Sequence, residues 1–234
     1  MIATLRRFMC VSWKRLARPY RILCIAGSRV IIPSVSSRKG DPCLMTDPLK
    51  IHVIIGSVRE GRMALPVGNW VVEQAAGRDD IDCELVDLKR WDLPFYPHAK
   101  PPSSGDYSDE KQAAWGAKVA EADGYILIAP EYNHGIPAVL KNALDTVYRE
   151  WNRKPVSFVA YGGLGGARSV EQLTMVAREL QMAPLESALH LMGVWNKRDG
   201  ERLAADEADN RRLGRLFDEL GWWGRALATA RQAG

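Results

Sequence analysis

Cysteine and histidine are scarce in this chain of 234 residues, with four of each. Cys10, Cys24, Cys43 and Cys83 have no C-x-x-C spacing and no histidine cluster beside them, so neither a zinc-ligand pattern nor a disulfide framework is written here. A reducing compartment, the cytoplasm, is the expectation, with no metal site. No apolar run approaches the roughly 18 residues of a membrane span. The nearest, residues 22–32, is broken by Gly27, Ser28 and Arg29. Two nucleotide fingerprints are also absent. A dinucleotide fold needs G-x-G-x-x-G, and Val58 stands at the second glycine position after Gly56. A P-loop needs Lys and Ser or Thr after its second glycine; Gly61 is followed by Arg62 and Met63, which argues against magnesium-dependent phosphoryl transfer.

Positive charge is unevenly spread. Residues 1–44 carry nine Lys or Arg and one acid, a net of +8, which leaves −4 for residues 45–234 out of the total of +4. The body has no basic stripe interleaved with aromatics, so no nucleic-acid partner is expected. Residues 1–44 read as a basic, disordered N-terminal extension, and 45–234 as the folded domain, opening near Met45. Within the extension, YRILCIAGSR (20–29) echoes a strand-then-turn pattern with no helix-forming segment after it, and is read as coincidence.

What is present starts with IHVIIGSVREGR, residues 51–62. The β-branched run is that of a strand covered on both faces, and it passes straight into a glycine-bounded turn. A helical pattern follows from about Leu65. Such a turn aims several backbone N–H groups into one concavity beside a helix N-terminus, which favours an anion, most simply a phosphate held and not transferred. Ser57 adds a hydroxyl, and Arg59 and Arg62 add guanidinium groups that clamp phosphate oxygens without a metal. The competing reading is an arginine-rich surface turn.

Strand and helix signals then alternate. Strands are expected at 83–88, 125–129, 156–160 and, more weakly, 185–191. Helices are expected at 65–76, 109–121, 137–151, 167–180 and 204–220. Five strands alternating with helices on both faces give an α/β, doubly wound, mostly parallel sheet, with ligands at the carboxyl ends of the strands. The proline-rich stretch 91–105 is long for such a domain; it borders a pocket or forms an aromatic-anchored surface loop. Leu140, Leu144, Val147 and Trp151 spread around more than half of the helix expected at 137–151, suggesting burial against another subunit.

Three strand ends break into turn chemistry: GSVREGR after the first, PEYNHGIP after the third and YGGLGG after the fourth. All three open on one sheet edge, pairing a phosphate turn with a slot of backbone amides and rings. That combination suits a mononucleotide with a planar head.

These three ordered motifs resemble those of the NAD(P)H-dependent FMN reductases, a flavodoxin-like family that includes quinone, chromate and azo-dye reductases. The resemblance covers roughly residues 50–191 and implies a five-stranded sheet of order 2-1-3-4-5. It implies that Ser57, Arg59 and Arg62 hold the FMN phosphate. Pro130, Glu131, Tyr132, Asn133 and His134 would line one side and edge of the isoalloxazine, with Glu131 touching flavin or else bracing the turn. Tyr161, Gly162, Gly163 and Gly166 would approach the pyrimidine region. It also implies NADPH or NADH as co-substrate, a small-molecule electron acceptor, and a homodimer or homotetramer. No side chain is expected to be catalytic in its own right, His134 included, because the cofactor carries the redox step. A quinone, azo-dye or chromate reductase with the same site, a flavodoxin-like electron-transfer module and a flavin-dependent sensor are the rival readings.

Overall fold

The computed structural model describes residues 13–15, 20–25, 28–33, 47–107 and 109–233. The chain divides into two units, Met1–Thr46 and Asp47–Gly234. In the first, the described backbone is a three-stranded antiparallel sheet of Trp13–Arg15, Tyr20–Ile25 and Ser28–Pro33. Tyr20–Ile25 is thus drawn as a strand, in contrast to its reading as a coincidental echo. The rest of the expected extension lies outside the described residues.

The second unit is built on strands β1 (Leu49–Ile55), β2 (Ile81–Asp87), β3 (Gly124–Pro130) and β4 (Pro155–Tyr161). The fifth position is filled by two short pieces, β5 (Ala183–Pro184) and β6 (Leu189–Leu191), both paired with β4. All pairings in this sheet are parallel, in the order β2-β1-β3-β4-β5. β3 and β4 are buried at every position, which explains their continuous apolar runs.

The helices are α1 (Ala64–Ala75), a single turn α2 (Leu88–Trp91), α3 (Glu110–Ala120), α4 (Ala138–Thr146), α5 (Ala167–Glu179) and α6 (Glu207–Ala233). Val53, Ile55, Ile128 and Val159 pack against Val67 and Val71 of α1 and Leu213 and Phe217 of α6. Ile54, Leu127 and Phe158 face the other way, toward Val119 of α3, Leu140 and Leu144 of α4 and Leu173 of α5. The period-two alternation of each strand thus feeds two separate cores. Among the described residues, no helix is long and apolar enough to cross a membrane.

Two helices differ from expectation. The segment from Pro137 is helical only to Thr146; Val147 is extended, and a short 3-10 turn, Arg149–Trp151, follows. The break swings Trp151 beneath the sheet, 4.7 Å from the Tyr125 ring and 6.1 Å from Trp115. Leu140, Leu144, Val147 and Trp151 are all buried within the one subunit, each burial contributing about 1.5–3 kcal/mol. The inference of a partner surface from these four residues is therefore overturned. Helix α6, in contrast, continues past Leu220 through Gly221 and Gly224 to Ala233. A Cβ at Gly224 would lie 2.6 Å from a Leu49 methyl, so close packing on β1 offsets the poor helix propensity of glycine.

One buried ionisable group sits beneath the sheet centre. His52 on β1 is 1% exposed, and its Nε2 has no hydrogen-bond partner. Nε2 lies 3.5 Å from Glu84 and 4.0 Å from Glu121, but both carboxylates are already paired with Lys50 and Lys118. Burial, then the charge of Lys118, pushes the ring down from 6.5 to about 4. A depressed folded value means that the stabilisation is complete above the unfolded value of 6.5 and is lost as the pH falls toward 4. Moving from pH 7.5 to 4.5 is thus expected to cost about 2.5 kcal/mol through His52 alone. Urea denaturation of the wild type and His52→Gln at both pH values checks this. Equal pH sensitivity of the two proteins would remove His52 as the cause.

Candidate functional site

The carboxyl ends of β1, β3 and β4 open onto one edge of the sheet, and each continues into one of the three turns. β1 leaves the sheet at Gly56, where a Cβ would lie 2.5 Å from the Ile128 carbonyl oxygen, so only glycine lets the chain pass so close to β3. Ser57 is fully buried, and its Oγ shares a 2.7 Å hydrogen bond with the Tyr132 hydroxyl. The first turn is thereby tied to the second.

Between Ser57 and α1 the backbone is open. Among the described residues, no acceptor in the chain meets the N–H groups of Val58, Arg59, Glu60 or Gly61. These four amides, with α1 starting at Ala64, form a concave set of donors of the kind that binds a phosphate. Arg59 is exposed, and its guanidinium carbon sits 5.3 Å above the Tyr132 ring.

Arg62 has a different role. Its Nη2 donates to Asp87 Oδ2 at 2.6 Å and its Nη1 to the Ser57 carbonyl at 2.7 Å, with side-chain exposures of 8% for Arg62 and 11% for Asp87. It staples the turn to the end of β2. Sequence spacing placed the two arginines in one motif; only the register of β2 beside β1, which pairs Ile55 with Asp87, separates their roles.

The second turn is held by reciprocal bonds between Tyr132 and Gly135, Tyr132 N to Gly135 O at 3.0 Å and Gly135 N to Tyr132 O at 3.1 Å. Asn133 and His134 between them both have positive φ, 49° and 71°. Gln172 of α5 donates to the His134 carbonyl at 3.0 Å, fixing this conformation from outside. Both side chains are exposed at the edge.

Glu131 faces away from the opening. Its carboxylate accepts from the Arg168 side chain at 2.8 Å and from the Arg168 amide at 3.2 Å in the first turn of α5, while its own N–H donates to the Tyr161 carbonyl at 2.9 Å. Of the two roles considered for Glu131, this geometry supports bracing: it joins the second turn to the third.

The third turn starts at Tyr161, whose hydroxyl is buried without a hydrogen-bond partner. Burial pushes that hydroxyl well above the ordinary tyrosine range, so it stays protonated. Gly166 has φ +76°, and a Cβ there would lie 2.7 Å from both Ala160 Cβ and Tyr161 N. Glycine alone fits. Gly163 is exposed, with nothing near a Cβ added to it, leaving open space on the outer side of the turn.

An FMN molecule fits this arrangement on three grounds: four free amides with Arg59 for a phosphate, an unsatisfied tyrosine hydroxyl beside them, and two small-residue turns for a flat ring. Sequence reading missed a further piece. A hairpin of β7 (Arg198–Asp199) and β8 (Arg202–Leu203) lies against the phosphate turn, Arg198 Nη1 donating to the Gly61 carbonyl at 2.8 Å. Two-residue strands leave no periodicity to read; the only signal was Asp199-Gly200 between two arginines.

Comparison with known proteins agrees with this geometry. The family model described as NADPH-dependent FMN reductase matches residues 49–196. An NAD(P)H-dependent FMN reductase of Schizosaccharomyces pombe is 45% identical over 146 residues, covering 61% of this chain and 73% of that protein. An NAD(P)H:quinone oxidoreductase of Solanum tuberosum is 29% identical over 175 residues, covering 70% of this chain and 87% of that protein. Among solved structures, the flavoenzyme NAD(P)H:(acceptor) oxidoreductase FerB from Paracoccus denitrificans aligns with a TM-score of 0.62 at 19% identity, covering 75% of this chain and 97% of FerB, which supports the flavodoxin-like fold. With the matched segment spanning the whole sheet and all three turns, this chain belongs to the NADPH-dependent FMN reductase family.

Proposed function

We propose that the protein oxidises NAD(P)H through FMN bound at these three turns and delivers the electrons to a small acceptor such as a quinone. The observation that carries this reading is the phosphate turn, with its four free amides and Arg59 directly beside two glycine-containing turns. FMN supplies the redox chemistry when bound, accepting hydride at its ring.

The chain's own contribution is position and electrostatics. The amides of residues 58–61 anchor the phosphate, with Arg59 adding charge and Ser57 holding the turn in place through its bond to Tyr132. The Ser57–Tyr132 and Glu131–Arg168 links hold the three turns in fixed relation, which keeps the ring slot preorganised. Nothing in this arrangement asks His134 to transfer a proton, and its role is to shape the slot.

The quinone preference draws support from the quinone reductase among the relatives. A homodimer or homotetramer and a cytoplasmic location belong to the same proposal. Assembly is supported by exposed large side chains, Phe95 at 79% and Trp195 at 59%; sedimentation as a monomer would remove it.

Anaerobic mixing of the FMN-loaded protein with NADPH is expected to bleach the flavin absorbance without any second protein, and added quinone to restore it. Varying donor and quinone together should give parallel double-reciprocal lines, because one slot serves both in turn. Bleaching that required a partner protein would favour an electron-transfer module instead.

A further inference from the structure

Away from the three turns, the sheet and α3 bring together three groups of metal-ligating type. His52 of β1 stands opposite Glu84 of β2 in the sheet register, and Glu121 caps the end of α3. The alternation of β1 turns His52 toward the α3 side, where its ring meets that of Tyr125 edge-on at 6.5 Å. His52 Nε2 and one carboxylate oxygen each from Glu84 and Glu121 all lie within 4.8 Å of one another. Nε2 is 3.5 Å from Glu84 Oε2 and 4.0 Å from Glu121 Oε2. Ligand atoms on a tetrahedral zinc ion stand about 3.4 Å apart, so both distances are within about 0.6 Å of that spacing. No ligand spacing in the sequence marks this cluster, because its members come from three separate elements.

The histidine separates this cluster from an ordinary surface network of Glu and Lys. Its ring is 1% exposed, and Nε2 points at the two carboxylates without a hydrogen-bond partner. Leaving a buried polar atom unsatisfied is costly, and a coordinated cation would satisfy it. Packing fixes the imidazole, whereas the Glu84 and Glu121 side chains are 40% and 44% exposed and free to adjust. One rigid nitrogen, two mobile oxygens and an open solvent side give three protein ligands with room for water. Mixed imidazole and carboxylate donors suit zinc, while magnesium and calcium favour oxygen alone.

We propose that His52, Glu84 and Glu121 form a binding site for a zinc-like divalent cation, which displaces the ammonium groups of Lys50 and Lys118 and ties α3 to the edge of the sheet. Both ammonium groups bridge the two carboxylates. Their side chains are 37% and 18% exposed, and ion pairs at such a surface contribute little. Their long stems can swing to water when a cation of higher charge takes their place. His52 lies four residues before Gly56, about 13 Å back along β1 from the phosphate turn. The ion's role is therefore structural, and the site stands independently of the flavin.

The test is a calorimetric titration of the full chain, stripped with EDTA and desalted, with zinc chloride. One site per chain with a micromolar dissociation constant is expected, together with a raised thermal midpoint, because the ion binds the folded state. Magnesium chloride should give neither. Losing an outer contact at a metal site costs 10- to 100-fold in affinity, so His52→Gln, which removes a ligand, should cost about 100-fold and abolish the thermal shift. Poor folding could imitate that loss, so Lys118→Gln runs the other way. Removing a competing ammonium should tighten zinc about two- to five-fold. Zinc binding unchanged in His52→Gln would place the ion elsewhere on the chain and overturn the proposal. So would the absence of saturable binding below about 1 mM, which would leave Nε2 in a weak contact with Glu84. Weaker zinc binding in Lys118→Gln would make the ammonium part of the framework, not a competitor, and would overturn it too.

Discussion

Replacing Arg62 with alanine is expected to destabilise the domain by about 3–5 kcal/mol, because it leaves Asp87 charged, nearly buried and without its partner. Among the described residues, the only other donor to that carboxylate is the Lys89 amide at 3.0 Å, a neutral group that cannot balance the charge. The Ser57 carbonyl loses its donor in the same step. Arg62→Lys keeps the charge but not the two-headed geometry that reaches Asp87 and Ser57 together, so an intermediate loss is expected. Urea denaturation of ligand-free protein measures both. A loss below about 1 kcal/mol for the alanine variant would mean that Arg62 is free to serve a ligand.

Arg59→Ala should behave in the opposite way, with little effect on folding and a large effect on flavin binding. The side chain is exposed, and its contact within the chain is with the Tyr132 ring. A charge-assisted hydrogen bond to phosphate contributes about 1.5–3 kcal/mol, so the FMN complex should weaken about 10- to 150-fold. Riboflavin, lacking the phosphate, should bind the wild type poorly and lose little more in the variant. At saturating FMN the variant should regain most of its turnover, since the missing contact is remote from the reacting ring. A fluorescence titration of both flavins against both proteins decides the point; equal wild-type affinity for FMN and riboflavin would return the turn to a purely structural role.

These contrasting fates show what the sequence could and could not convey. The fold was legible because the central strands of the parallel sheet are apolar runs that pass straight into glycine or proline, as in IHVII before Gly56 and YILIA before the PEYNHG turn. The site's place was legible for the same reason, since turns after parallel strands share an edge. Partnerships across the sheet were not. That Arg62 reaches Asp87, or that Glu131 caps α5 through Arg168, depends on register and helix placement between residues 25 and 37 positions apart. The extended Val147 that turns Trp151 inward was hidden too, because the apolar spacing there continues as though the helix did. Helix α6 was read short because Gly221 and Gly224 look like breakers until the close approach of Gly224 to Leu49 of β1 and of Gly221 to the start of β2 is known.

The strand order also dictates a sequence in time. β1 is made first, yet its two neighbours are β2, about one helix downstream, and β3, whose residues begin at Gly124. A β1–α1–β2 unit can close locally, whereas β1 keeps one edge unpaired until the chain has grown past Pro130. Closing the longer loop adds only about 0.7 kcal/mol of entropy, so the delay is one of synthesis and search more than of equilibrium. The apolar run LKIHVII spends that interval with its hydrogen-bonding edge open, which is when the nascent chain is most prone to pairing with a wrong strand. The hydrogen bond between Ser57 and Tyr132 forms across that same late seam, so the first turn, already stapled to β2 through Arg62, gains its second support only once the middle of the sheet is closed.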